Sequence, residues 1–126
     1  MTDTYSSGYI AGLVNELRKL PSETEWVEFK HNNAEPSEIG EYISALSNSA
    51  AMLDKTTSYM VWGVDDKTHE IIGTVFDPNS ARVGNEELEN WLLQRLSPKI
   101  HFRFFHLDIE GKQVILLEIA AAFQHP

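Results

Sequence analysis

Acidic residues are the side chains of this 126-residue sequence that are best suited to chemistry. Glu23 and Glu28 lie in the segment ETEWVEFK, and Asp65 and Asp66 end the apolar segment YMVWGVDD. If these segments are neighbouring strands, three or four carboxylates converge at one end of a sheet. Carboxylate oxygens bind hard cations such as Mg²⁺ or Mn²⁺, and such ions activate water against a phosphodiester.

The same acids also have a purely structural interpretation. Asp65 and Asp66 are typical turn residues, and Glu28 is two residues from Lys30, a spacing that allows an ion pair on one strand face. Because short motif matches are often accidental, the residues alone favour this second interpretation. Both remain open at this stage.

Several other site chemistries are excluded by the sequence. There is no cysteine, so no thiolate metal site or disulfide forms. The five histidines show no metal-ligand spacing, and neither a GxxxxGK[ST] nor a GxGxxG phosphate loop occurs. A GxSxG hydrolase elbow is also missing.

Charge bears on the choice of partner. Ten lysines and arginines stand against nineteen acids, for a net charge of −9. Avid, sequence-independent nucleic-acid binding depends on phosphate neutralisation by basic residues, so only a local basic patch would bind nucleic acid. No apolar run is long enough to span a membrane, and the N-terminus lacks the basic and apolar regions of a secretion signal. We therefore predict a cytoplasmic protein without membrane contact.

Three helices are predicted from apolar stripes with helical spacing. The first is capped by Ser6 or Ser7 and ends at Pro21. Ser22 and Glu25 match a capping box, but EWVEFK alternates like a strand, so no helix is predicted there. The second helix begins at Pro36, and the third is closed by Pro98. Their stripes are Ile10, Leu13, Val14, Leu17 and Leu20; Ile39, Tyr42, Ile43, Leu46, Ala50 and Leu53; and Leu88, Trp91, Leu92 and Leu96.

Strands are predicted at EWVEFK and TTSYMVWGVDD, where β-branched and aromatic residues are concentrated. EIIGTV is predicted to form a hairpin with the latter strand, and DPNSARVGN is predicted as a loop. The last part of the chain predicts a hairpin turning at Glu110-Gly111. Phe102 and Phe104 lie at even-numbered positions of its first strand, whereas Phe105, Leu107 and Ile109 lie at odd-numbered ones. Because the apolar residues thus change from one face of the strand to the other, we expect a bulge near Phe104. The result is one α+β domain, with an N-terminal helix in residues 1–22 before the main unit, 23–126.

Three segments, ETEWVEFK, EIGEYISALSNSA and YMVWGVDDKTHEIIGT, occur in an order that resembles the Schlafen AlbA_2 domain. The resemblance runs from about Glu23 to the C-terminus. It implies an α+β fold in which a small mixed sheet packs with about three helices. It also implies nucleic-acid binding at the start of a longer bacterial protein, so further C-terminal domains are expected after the terminal FQHP.

The resemblance also assigns roles to residues. In vertebrate Schlafen relatives three carboxylates cleave structured RNA, and Glu23, Glu28 and either Asp65 or Asp66 occupy the corresponding positions. We take Asp66 as the catalytic acid and all four as candidate Mg²⁺ or Mn²⁺ ligands. The candidate contacts to nucleic acid are Lys30, Asn48 and Lys67.

Three functions follow from the sequence. The first is a DNA- or RNA-binding regulatory domain of a bacterial transcriptional regulator, without catalysis of its own and with no certain cofactor. The alternative is a metal-dependent ribonuclease. The third is a protein-interaction domain that forms a homodimer.

Overall fold

The structure is a computed structural model, and it describes residues 7–22, 24–96 and 99–122. Glu23, Ser6 and Pro98, which the sequence singles out, lie outside the described residues. The elements in chain order are α1 (Ser7–Leu17), β1 (Val27–Lys30), α2 (Pro36–Met52), β2 (Thr57–Trp62), β3 (Arg82–Val83), β4 (Glu86–Glu87), α3 (Leu88–Arg95), β5 (Phe102–Ile109) and β6 (Lys112–Ala120).

The main sheet has four strands in the order β1-β2-β6-β5. β1 and β2 are parallel and are joined through α2, as parallel neighbours require a crossover. β6 is antiparallel to both β2 and β5. The predicted α+β fold with a mixed sheet and three helices is therefore confirmed.

Helices cover both faces of this sheet, so it separates two apolar clusters. On one face, Ile10 and Val14 of α1 pack with Val27 and Phe29 of β1. On the other face, α2 and α3 pack against Met60 and Trp62 of β2 and against alternate residues of β6. Burial on both faces explains why the central strands are continuous apolar runs.

The start of α2 follows the rules of helix capping. Glu35 is the N-cap, and its carboxylate accepts hydrogen bonds from the backbone N–H groups of Ser37 and Glu38, each at 3.1 Å. Pro36 occupies the first helical position, where a missing N–H costs nothing. The capping-box match at Ser22 and Glu25 does not start a helix, as predicted, because the strand β1 begins at Val27.

The predicted hairpin between the β2 region and EIIGTV is reduced to an antiparallel bridge between Val64 and Ile71, just beyond the end of β2, and EIIGTV does not form a strand. β2 already has β1 and β6 as its two neighbours, so no edge is left for another strand. The chain crosses towards β6 instead, where the Thr74 N–H donates to the Gln113 carbonyl at 2.9 Å.

The predicted bulge near Phe104 is also wrong. The β5–β6 register runs without interruption from Phe102 opposite Ile119 to Ile109 opposite Lys112. The change in parity has another cause: Phe102 and Phe104 face the α2 side, whereas Phe105 belongs to the cluster beneath α1.

Two smaller features depart from the predicted boundaries. The loop predicted at DPNSARVGN contains β3, which pairs with β4 in a two-stranded ribbon. Leu53 follows the end of α2 and is exposed, not part of its buried stripe.

Within the described ranges, no helix has both the length and the apolar character needed to cross a bilayer.

Candidate functional site

The candidate acids and lysines lie where β1 and β2 end together. Because the strands are parallel, Lys30 at the end of β1 is opposite Trp62 at the end of β2. The Trp62 Nε1–H donates to the Asn33 carbonyl at 2.8 Å, which fixes the connection from β1 towards α2. We call this edge, formed by the ends of β1 and β2 and the turn at residues 65–69, the sheet end.

Two glycines determine how the chain leaves β2 at the sheet end. Gly63 has φ +101°, and its carbonyl accepts hydrogen bonds from the Ile72 and Gly73 N–H groups at 2.8 and 2.9 Å. A Cβ on Gly63 would lie 2.9 Å from the Gln113 carbonyl oxygen and 3.3 Å from the Gly73 carbonyl carbon. Glycine is therefore needed here both for its backbone angle and for the close approach of three chain segments.

Glu28 and Lys30 point from β1 towards α2. Their side chains are an ion pair with a Glu28 Oε2–Lys30 Nζ distance of 3.9 Å, and they are only 34% and 20% exposed. The Lys30 ammonium also lies 4.8 Å from the centroid of the Tyr42 ring. Burial acts to lower the pKa of Lys30, but the Tyr42 hydroxyl and neighbouring carboxylates outweigh it and raise that pKa. Lys30 is thus held as a cation.

The charge of Glu28 is less well compensated. Burial raises the pKa of its carboxyl, Lys30 opposes this rise, and the negative charge of Asp66 adds to it. The fold therefore brings Glu28 and Asp66 close enough for their charges to interact. Two carboxylates that repel each other in this way are the type of arrangement that a cation relieves.

The two adjacent aspartates have different surroundings. The Asp65 Oδ1 atom accepts hydrogen bonds from the Lys67 and Thr68 N–H groups, both at 2.8 Å, and these lower the Asp65 pKa. Asp65 is therefore the residue that forms the turn. Asp66 is exposed, and its charge acts on Glu28.

The predicted nucleic-acid contacts do not all come together. Lys67 is exposed in the turn beside Asp66 and so belongs to the sheet end. Asn48 lies on another flank of α2, where it lines a cavity of about 650 Å³ with Trp91 and Arg95. Lys112, which was not among the three predicted contacts, begins β6 at the sheet end, and its Nζ donates to the Ile71 carbonyl at 3.2 Å.

The described residues provide part of a possible cation site. Across residues 7–22, 24–96 and 99–122, no three acidic or histidine side chains are grouped as a metal site would require. Glu28 and Asp66 supply two carboxylates, and Glu23, the third predicted ligand, lies outside the described residues.

A comparison of the sequence with known families decides the family. The family model described as Schlafen, AlbA_2 matches residues 23–126, most of the chain. The chain belongs to this family. Sequence comparison with curated proteins gives no match.

The N-terminal domain of a solved protein shares the fold of this Schlafen AlbA_2 domain. The N-terminal domain of a RecG-related protein from Nitrosomonas europaea is similar with a TM-score of 0.55 and 16% identity, over 95% of this chain and 76% of that one. The DIP2311 protein from Corynebacterium diphtheriae has 22% identity and a TM-score of 0.46, over 90% of this chain but only 26% of its own. At 16% identity, the likeness to the RecG-related protein concerns the fold alone.

Tyr42 is the site residue that sequence reasoning on this Schlafen AlbA_2 domain missed. It was predicted as part of the apolar stripe of α2, but it faces Lys30 at the flank of β1. Glu38, one helical turn earlier, also acts electrostatically on Lys30. The signal available in the sequence was the four-residue spacing of Glu38 and Tyr42, which places them on the same flank of a helix.

Proposed function

We propose that this Schlafen AlbA_2 domain binds DNA or RNA through the sheet end and acts as a regulatory domain of a transcriptional regulator. The observation that carries the proposal is Lys30, a lysine kept charged beside the Tyr42 ring. Lys67 and Lys112 lie at the same end of the sheet. Lysines at one edge contact phosphates. Such contacts position a nucleic acid without reading its sequence.

The charge of the chain limits the strength of this binding. With a net charge of −9, long-range repulsion opposes the approach of nucleic acid. Binding therefore depends on a few local contacts. Three lysines predict a slope of log K against log salt of about −2 to −3. A strongly basic domain would show a steeper slope.

The test is a titration of fluorescently labelled DNA duplex and RNA hairpin with the 126-residue chain, over salt from about 50 to 200 mM. The variants Lys30→Gln, Lys67→Gln and Lys112→Gln should each weaken binding and make the salt slope shallower by about one. Lys99→Gln is the matched control. It removes one exposed positive charge near the start of β5, at the opposite end of the sheet. Equal effects of all four substitutions, or no binding at low salt, would refute the proposal.

The pair Glu28 and Asp66 favours a second candidate, a metal-dependent ribonuclease. Together with Glu23, these carboxylates would hold Mg²⁺ or Mn²⁺, which would supply activated water and charge stabilisation. The variant Glu28→Gln should then abolish Mn²⁺-dependent cleavage of structured RNA. Glu118→Gln is the matched control. Burial raises the pKa of Glu118 as it raises that of Glu28, but the neighbouring charge that opposes the rise belongs to Arg103. Cleavage that survives Glu28→Gln would exclude this role.

A further inference from the structure

The two edges of the main sheet differ in a way that bears on association. β1 has four residues and places Glu28 and Lys30 at alternate positions, and short, charged strands protect an edge from pairing. β5 has eight residues, including three phenylalanines. Among the residues that the structure describes, no strand pairs with its outer side. A long edge strand with an unpaired outer side is a template for pairing with another strand.

The backbone groups that β5 presents outwards can be assigned from its pairing with β6. Ile109 and Lys112 flank a two-residue turn and therefore form a hydrogen-bonded pair. The His101 carbonyl, at the other end of β5, accepts from the Ala120 N–H at 2.9 Å. Odd-numbered residues thus bond to β6, and the N–H and C=O groups of Phe102, Phe104, His106 and Asp108 point away from it.

We propose that two copies of this chain pair through these outward groups, as antiparallel β5 strands related by a two-fold axis. The proposal does not depend on nucleic-acid binding. A second copy suits this edge because β5 contains one arginine and one aspartate, whose charges cancel. Elsewhere a chain of net charge −9 repels its own copy.

Symmetry and charge select one register. A two-fold axis normal to the sheet through Phe105 pairs residues 102–108 of both copies. It places Phe105 opposite its own copy and Phe104 opposite the partner's His106. An axis through His106 would place two imidazoles face to face, and an axis through Phe104 would shorten the overlap. Only the register centred on Phe105 pairs seven residues without placing identical titratable groups opposite each other.

The test is the concentration dependence of the solution mass of the chain by sedimentation equilibrium. A dimer should form in the unmodified chain, and His106→Pro should weaken it about tenfold or more, because proline removes an outward N–H donor from each copy. His106→Ala is the matched control and should dimerise normally. The ladder between β5 and β6 does not use the His106 N–H, and circular dichroism should show that both variants are folded.

Amide hydrogen exchange gives a second measurement that needs no substitution. Raising the protein concentration should slow exchange at Phe104 and His106, whose N–H groups face outwards. Exchange at Arg103 and Phe105, which bond to β6, should not change. A monomer up to about 1 mM, or a dimer that His106→Pro leaves intact, would overturn the proposal.

Discussion

Arg18 and His69 exchange hydrogen bonds across the α1 face of the molecule. The Arg18 Nε–H donates to the His69 carbonyl at 2.7 Å, and His69 Nδ1 lies 2.9 Å from the Arg18 carbonyl. Because a carbonyl only accepts, Nδ1 carries the imidazole proton. The His69 ring also packs on Phe29, with centroids 4.5 Å apart. These contacts anchor the turn that holds Asp65 and Asp66 to the end of α1.

The Arg18→Ala variant should therefore lower the free energy of unfolding by about 1.5–3 kcal/mol, the usual range for hydrogen bonds of charged groups. Chemical denaturation measures this loss. Lys19→Ala is the control, because Lys19 is exposed and its ammonium pairs with the exposed Glu16 carboxylate at 2.8 Å. It should change stability by less than about 0.5 kcal/mol. Equal effects of the two substitutions would mean that the hydrogen bonds of the Arg18 side chain to His69 and to Asn15 contribute nothing.

Replacing Gly63 with alanine should destabilise the chain by about 3 kcal/mol or more, because the new Cβ would meet backbone atoms at a positive φ. The same substitution at Gly12 is an informative comparison. Gly12 is exposed within α1, and nothing lies within 4 Å of an added Cβ. Gly12→Ala should stabilise the chain by about 0.5–1 kcal/mol. Thermal unfolding of both variants measures this opposite response.

The stability of the chain should depend on pH through Glu28. Its pKa is raised in the folded state. The contribution of Glu28 to the stability of the folded state is therefore fully present below the unfolded-state pKa, about 4.3. It is lost as the pH rises through the folded-state pKa. Glu28→Gln should raise the melting temperature at pH 7 and leave it nearly unchanged near pH 4. Glu41→Gln, at an exposed position of α2, should show no such difference between the two pH values.

The charge of Asp66 should be visible in the titration of Glu28. Asp66→Asn removes a charge that raises the Glu28 pKa, so that pKa should fall. Lys30→Met removes the opposing cation and should raise it further. Carboxyl ¹³C chemical shifts followed against pH measure both changes. An unaltered Glu28 titration in the Asp66→Asn variant would show that the two carboxylates do not interact.

The three helices could be predicted from the sequence because their apolar stripes have helical spacing and proline marks the start of α2. The strand at TTSYMVWGVDD was equally clear. The partners of the strands were not, because a strand buried on both faces carries no alternation that identifies its neighbours. This is why EIIGTV was predicted as a strand paired with β2, although β1 and β6 are its neighbours in the sheet, and why apolar residues on both faces of β5 suggested a bulge.

The candidate site could be predicted in part. Sequence reasoning placed Glu28 and an aspartate at one sheet end, but it had no means to distinguish Asp65 from Asp66. That difference depends on two hydrogen bonds within the turn. The contact between Lys30 and Tyr42 depends on how α2 lies across β1, which spacing along the chain does not specify.

The separation of the two clusters by the sheet has a consequence for the partly unfolded states of the chain. α1 contributes to only one cluster, so its detachment would expose one face of the sheet and leave the packing of α2 and α3 in place. Such an opening requires less free energy than complete unfolding. Protons bound to the amides of α1 should therefore be replaced by deuterium sooner than those of β2 and β6. The chain would pass through a state in which the helix is released while the strands remain paired.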